Sequence, residues 1–403
     1  MKFGHLADCH VGGWREPKLR ELNTKAFCYA IDALLVTKVE FVIIAGDLFN
    51  TAFPAVDSLT IATRKLKQLK DANIPVYAIS GSHDFSPSGK TMLDVLEEAG
   101  LLVNVAQGSV DERGKLHLKF TIDKKTGVKI TGLVGRKGGL DIEYYHMLCR
   151  EELEQEPGAK IFVFHCALAE LKPKHLQEME AMAISLFPKG FDYYAGGHVH
   201  VVDHQNLQHY PNIVYPGPVF PNNFAELEKL EHGTFVIVED WKPKHIAIPL
   251  NPVVSLAIDC EHKTPAQATE LLNKAIAEKN IKDALVLLRL SGKLNQGRAS
   301  DIAWNEIIAS IHNKGAYFVM KNTNALTSQE YEEVKVSQQS VEDIETALLQ
   351  EHAGKIMLAS KETDAKLAQS LLQSMALEKE EGEKIADFEK RLKIAVDRIL
   401  SID

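Results

Sequence analysis

The sequence predicts an α/β fold of two β-sheets with helices on their outer faces, followed by a smaller α/β domain and a helical tail. Three observations carry that expectation. Short apolar runs alternate with polar loops and amphipathic stretches through the first 250 residues, later runs near 201–250 follow one another without helices between them, and the rhythm changes at Pro252. Composition agrees: 403 residues with 45% hydrophobic, 7% aromatic and 25% charged side chains suit a folded chain with two or three cores, not a disordered or fibrous one.

Strands are expected at 2–7, 41–45, 76–80, 161–164 and 193–195, and helices at 18–37, 55–71 and 90–99. The runs 201–207, 234–239 and 245–250 are expected to form a second, more antiparallel sheet, giving a layered sandwich. Beyond 252, strand 253–260, helix 264–279, strand 284–290, helix 301–314 and strand 316–321 make a compact domain over 251–325. Residues 321–340 are polar, and 326–340 is taken as a linker. The segment 341–403 reads as helical, with 341–352 closed by Gly354 and 361–402 carrying apolar residues at three- and four-residue intervals.

Several function classes are excluded. The longest apolar runs fall far short of the ~20 residues that span a bilayer, and the first ten residues lack the apolar core and cleavage site of a signal peptide, so a cytoplasmic protein without membrane association is expected. Cys9, Cys28, Cys149, Cys166 and Cys260 show no C-x-x-C spacing, which points to reduced thiols. The net charge of −9 argues against indiscriminate attraction to nucleic acid over the whole surface. Residues 341–403 carry −5 of it, so a locally basic groove elsewhere is compatible.

The informative feature is that each strand of the first part ends in a loop opening with metal-ligand residue types. Asp8 and His10 follow the first strand, Gly46-Asp47 the second, Gly81-Ser82-His83-Asp84 the third, His165 the fourth and Gly196-Gly197-His198-Val199-His200 the fifth. The carboxyl ends of neighbouring strands in an α/β sheet converge, so these five loops are expected in one crevice. Carboxylate and imidazole without thiolate suit manganese, iron or zinc better than calcium. An aspartate between two such ions can bridge them, and two metals can clamp the oxygens of an in-line phosphoryl displacement. His5, inside the first strand, is read as a core residue, and His117, His146, His175, His209, His232, His245 and His352 as surface groups. Asp84 is read as the cap of a helix beginning near Gly89 or as an Asx turn.

The order D-x-H, G-D, G-x-H-D, isolated His and G-H-x-H resembles the calcineurin-like metallophosphoesterase superfamily. More narrowly, Met1 through Gly12, Gly46-Asp47-Leu48-Phe49 and Tyr215-Pro216-Gly217 resemble the nuclease of double-strand-break repair, called Mre-eleven in archaea and eukaryotes and SbcD in bacteria. The resemblance implies a four-layer sandwich over residues 1–250, a DNA-binding capping domain at 251–325, and a segment at 341–403 that binds an SMC-like coiled-coil ATPase. It implies one metal on Asp8, His10, Asp47 and His200 and a second on Asp47, Ser82, His165 and His198, manganese being the expected ion. His83 would then stabilise charge or protonate the leaving oxygen. The implied activity is a 3′–5′ exonuclease and single-strand endonuclease acting on DNA ends, in a homodimer formed through helices 55–71 and 90–99. Three positions depart from the commonest pattern: Ser82 for asparagine, Asn50 for histidine and Pro218 for serine. Two other readings stay open: a small-molecule or cyclic-nucleotide phosphodiesterase, and a DNA-end-bridging scaffold with weakened catalysis.

Overall fold

The computed structural model describes residues 1–86, 90–172, 180–328, 367–371, 374, 377 and 385–400. In chain order the first part runs β1 (Lys2–Leu6), α1 (Pro17–Thr37), β2 (Phe41–Ala45), α2 (Val56–Asp71), β3 (Val76–Ile79), α3 (Met92–Glu98), β4 (Val103–Asn104), β5 (Gly108–Val110), β6 (Leu116–Leu118), β7 (Thr121–Ile122), β8 (Lys129–Gly132), α4 (Ile142–Met147) and α5 (Arg150–Gln155). It continues through β9 (Lys160–His165), β10 (Tyr193–Gly197), β11 (Val202–Leu207), β12 (Tyr210–Pro216), α6 (Phe224–Leu230), β13 (Gly233–Glu239) and β14 (Lys242–Ile248). The rest comprises β15 (Val253–Asp259), α7 (Pro265–Ala277), β16 (Leu285–Leu294), α8 (Trp304–Asn313), β17 (Phe318–Ser328) and α9 (Ile385–Leu400).

Two six-stranded sheets form, in the orders β14-β13-β1-β2-β3-β4 and β11-β12-β10-β9-β8-β7. In the first sheet β1 to β4 are parallel and β13 and β14 pair antiparallel at one edge; in the second, β8, β9, β10 and β12 are parallel and β7 and β11 are antiparallel at the two edges. The period-two alternation of a strand decides the layering. Phe41, Ile43 and Ala45 of β2 share a core with Ile161 and Val163 of β9 and with Tyr193 and Ala195 of β10, so the two sheets face each other. Val42 and Ile44 point the other way, onto α1 and α2 through Leu34, Ala62 and Leu66. Phe162 and Phe164 likewise leave the second sheet to meet Tyr145 of α4 and Leu153 of α5. Helices, sheet, sheet and helices make the expected four layers.

The grouping of strands differs from expectation in one respect that bears on the site. Strands β9 and β10 lie in the second sheet, and β13 and β14 return to flank β1 in the first. Apolar runs such as Ile161–Phe164 announce burial on both faces, but they do not say which sheet receives the strand. The polar stretch from Lys321 also differs: residues 321–328 continue β17 at the edge of the three-stranded sheet β15-β16-β17. An edge strand with a solvated face accepts Asn322, Thr323 and Asn324 without burying them, so polarity alone does not mark a linker.

Residues 253–328 have their own core, in which Leu272 and Ile276 of α7 and Ile307 and Ile311 of α8 cover Val286, Leu288 and Leu290 of β16. Arg289 on that sheet forms a fork with Glu228 of α6, its Nη2 at 2.7 Å. The chain divides into two compact units, Met1–Leu294 with Arg298–Leu326, and Asn295–Gly297 with Thr327–Asp403. In the second unit α9 is amphipathic, with no side chain of residues 387–400 buried and Ile394 half exposed. The helix expected at 341–352 and the linker residues 329–340 lie outside the described residues. No helix among the described residues is long and apolar enough to cross a membrane.

Candidate metal centre

The five loops meet, as the motifs require, but three come from the first sheet and two from the second. The loops after β1 and β2 run side by side: Asp8 N–H donates to Gly46 O at 3.2 Å, His10 N–H to Asp47 O at 2.9 Å, and Val11 N–H to Leu48 O at 2.9 Å. From the second sheet, His198 N–H donates to both Asp8 oxygens at 2.9 and 3.1 Å, and His165 Nδ1–H donates to Ala45 O at 2.8 Å. The centre is thus a seam between the sheets, held by main-chain groups on both sides.

The backbone there is strained. Asp8, His10, Asp47, His198 and His200 have φ of 50°, 43°, 51°, 94° and 49°. Non-glycine residues rarely adopt this region, and each such residue costs ~1–3 kcal/mol, sustained by the hydrogen bonds just described. Close approach is enforced as well: a Cβ on Gly46, itself at φ +85°, would lie 2.3 Å from His165 Nδ1.

Within this frame His165 Nε2 faces Asp47 Oδ2 at 3.1 Å, His10 Nε2 faces His200 Nε2 at 3.1 Å, and His200 Nε2 lies 3.7 Å from Asp8 Oδ1. Three ligand groups result, each with its atoms within 4.8 Å of one another: Asp8, His10 and His200; Asp8, Asp47 and His165; and His10, Asp47 and His83. His198 stands outside these groups, with its ring edge-on to His165 at 5.1 Å between centroids. Ser82 Oγ lies 3.5 Å from Asp47 Oδ2. His83 N–H donates to Asp47 Oδ1 at 2.7 Å, and its Nδ1 faces Asn50 O at 2.9 Å, which leaves Nε2 as the ring's free nitrogen. At Asn50, therefore, the backbone carbonyl rather than the side chain engages the site.

Electrostatics match a cation-binding role. Burial raises Asp8 and would raise Asp47, but the surrounding imidazoles hold Asp47 below the usual carboxylate range. Burial opposes protonation of His165 and His200, yet the carboxylates overcome it and push them up to about 10 and about 9. His10 and His198, where burial dominates, fall to about 3 and keep their lone pairs. With Nδ1–H of His165 committed to Ala45, a neutral ring would set its Nε2 lone pair against Asp47 Oδ2 at 3.1 Å, so this contact calls for either a proton on Nε2 or a cation between the two atoms. Imidazole nitrogens and carboxylate oxygens so arranged fit a divalent cation.

Two residues gain roles that sequence reasoning missed. Glu226 Oε1 accepts from His200 Nδ1 at 3.0 Å, while Oε2 accepts from Asn222 N–H at 2.8 Å. Asn223 with Glu226 three residues later is a legible helix-start signal, and Asn223 does cap α6, but nothing local shows that the glutamate reaches His200. Asp84 does not cap α3, and its carboxylate reaches beyond its own turn. Thr91 and Asp94 cap α3, and Asp84 accepts N–H groups of Leu48, Phe49 and Gly81 at 3.1, 2.9 and 3.1 Å, joining two site loops. His5, as expected, is buried, against the Tyr193 hydroxyl at 2.9 Å.

A family model for calcineurin-like phosphoesterase matches residues 1–202. The chain is 25% identical over 421 aligned positions to the DNA double-strand break repair protein Mre11 of Archaeoglobus fulgidus, covering 98% of this chain and 90% of that protein. It is 30% identical to the Methanopyrus kandleri protein of the same name, covering 57% of this chain and 51% of the relative. For the Methanococcus maripaludis protein of that name the figures are 29%, 50% and 52%, so the chain matches about half the length of these last two.

Proposed function

The chain belongs to the calcineurin-like phosphoesterase family, whose members carry a dimetal hydrolytic site, and on that premise we propose that it is a manganese-dependent nuclease processing DNA ends in double-strand-break repair. The observation that carries the reading is the pair of buried aspartates, Asp8 and Asp47, each shared by imidazoles from both sheets. It is supported by the full-length similarity to a protein named for DNA double-strand break repair.

In this reading one ion is held by Asp8, His10, Asp47 and His200, the other by Asp47, Ser82, His165 and His198. When bound, the two ions supply Lewis-acid neutralisation of phosphate charge and acidify water. The protein's own residues do the rest. Asp8 and Asp47 fix the spacing of the ligand sets, Glu226 and the Ala45 carbonyl orient His200 and His165, and His83 presents Nε2 toward the 3′ oxygen leaving the phosphodiester.

The remaining assignments follow the same proposal. The domain at 251–325 caps the cleft and engages DNA. Exposed Phe53, Val56 and Val95, beside or within α2 and α3, form the homodimer contact. The segment 341–403, with α9 presenting an apolar stripe and no buried residue among 387–400, docks on the coiled-coil base of an SMC-like ATPase. The protein acts in the cytoplasm on the nucleoid.

The test is cleavage of labelled linear duplex and hairpin DNA with manganese or magnesium, beside Asp8→Ala and His83→Ala proteins and a nitrophenyl phosphodiester. Manganese-dependent DNA cleavage lost in both variants is expected. Hydrolysis of the small ester alone would instead identify a small-molecule phosphodiesterase. Ser82, shorter than the asparagine usual at its position, favours a second reading in which second-metal affinity is weak and the chain bridges DNA ends. One manganese per chain by calorimetry with DNA bridging intact would select it.

A further inference from the structure

Away from the dimetal seam, the structure brings together a second set of ligand types. His117 on β6, Cys149 immediately before α5 and Glu152 in the first turn of α5 place a ring nitrogen, a thiol sulfur and a carboxylate oxygen within 4.8 Å of one another. One main-chain bridge holds the set. Leu116 bridges Leu148, and Cys149 N–H donates to Leu116 O at 2.9 Å, so the hairpin β5–β6 is tied to the start of α5 beside the cluster. From the pair of residues Cys149 and Glu152 alone, without His117 from a distant part of the chain, no such site is legible.

The imidazole is oriented on both sides. Nδ1 faces Glu152 Oε2 at 2.8 Å, and Nε2 faces Asp111 Oδ2 at 3.3 Å. A ligating histidine that turns its second nitrogen to a carboxylate is the usual outer-sphere arrangement of a zinc site, because it fixes the tautomer and raises ligand basicity. Asp111 itself is fixed in the hairpin turn by N–H groups of Arg113 and Lys115. A borderline-soft divalent ion satisfies thiolate, imidazole and carboxylate at once. All four side chains retain solvent access, so an ion can enter.

We propose that His117, Cys149 and Glu152 form a zinc-binding site, with Asp111 orienting His117, which clips the β5–β6 hairpin to α5. It is chemically distinct from the dimetal seam, which has no thiolate among its ligand groups. That difference supplies the test. The full chain is titrated with cobalt(II), whose thiolate complexes absorb by sulfur-to-metal charge transfer, as wild type and as Asp8→Ala, Cys149→Ser, His117→Ala and Cys28→Ser proteins. One charge-transfer-active cobalt per chain is expected in wild type, Asp8→Ala and Cys28→Ser, displaced by equimolar zinc and lost in Cys149→Ser and His117→Ala. As a second measurement, zinc is expected to slow alkylation of Cys149, read by mass spectrometry, at least tenfold in Asp8→Ala protein. Absence of the band, its survival in Cys149→Ser, or alkylation of Cys149 indifferent to zinc would each overturn the site.

Discussion

Replacing Glu226 tests how the dimetal seam is tuned from outside its ligands. Its Oε1 takes the Nδ1 proton of His200 at 3.0 Å, committing Nε2 of that ring to face His10 Nε2 and Asp8 Oδ1. Burial would raise the Glu226 carboxyl, but the hydrogen bond and charge of His200 outweigh it and hold the carboxyl below its ordinary range. The interaction is therefore charge-assisted. Removing such an outer partner weakens metal affinity about 10–100-fold, or about 1.4–2.8 kcal/mol at 1.4 kcal/mol per decade. Glu226→Ala is expected at the upper end of that span, because His200 loses both the charge and the acceptor. Glu226→Gln is expected near the lower end, since an amide oxygen can still accept. The assay is calorimetric titration of manganese into each protein, with circular dichroism to verify that α6 persists. If Glu226→Ala binds manganese within twofold of wild type, the ligand orientation is set by the backbone strain alone and the argument for Glu226 fails.

Three further outcomes are expected. Asp84→Ala strands three N–H groups in a buried setting, and at ~1 kcal/mol or more each should lower stability by ~3 kcal/mol in urea unfolding; an unchanged midpoint would mean those groups find other acceptors. Gly46→Ala, adding a Cβ at φ +85° and 2.3 Å from His165 Nδ1, should abolish phosphodiester hydrolysis while the second sheet's near-ultraviolet signature persists, and retention of more than a tenth of the activity would contradict the geometry. Burial holds His5 at about 3 against the ordinary 6.5, so the unfolded chain binds the extra proton and stability, complete above pH 6.5, falls as pH drops toward 3. The slope contributed is at most ~1.4 kcal/mol per pH unit, and unfolding curves of His5→Phe protein should lack it; parallel pH dependences would show that His5 is protonated in the fold.

Much of this molecule is legible in one dimension because its signals are local. An apolar run followed by glycine and a ligand-type residue marks both a buried strand and a turn, and Phe41–Ala45 with Gly46-Asp47 appears where that pattern places it. The same locality explains the errors. The polar residues after Lys321 read as a linker because edge-strand solvation leaves no mark distinct from a loop. Strands β4 to β8 and β12 were not foreseen: most are two to four residues long, too short for a period to show.

What the sequence determined by itself was the identity and order of the ligand types, since metal chemistry depends on side-chain atoms that the sequence states outright. Tertiary structure decided how those atoms are shared. Placing β9 and β10 in a second sheet brings His165 and His198 across the seam, so that His165 meets Asp47, the main chain of His198 grips Asp8, and Glu226 from α6 reaches His200. Contacts between residues 26 to 190 positions apart arise from which sheet each strand joins. Sheet membership is set by the summed burial of whole faces, a quantity no local stretch of sequence contains.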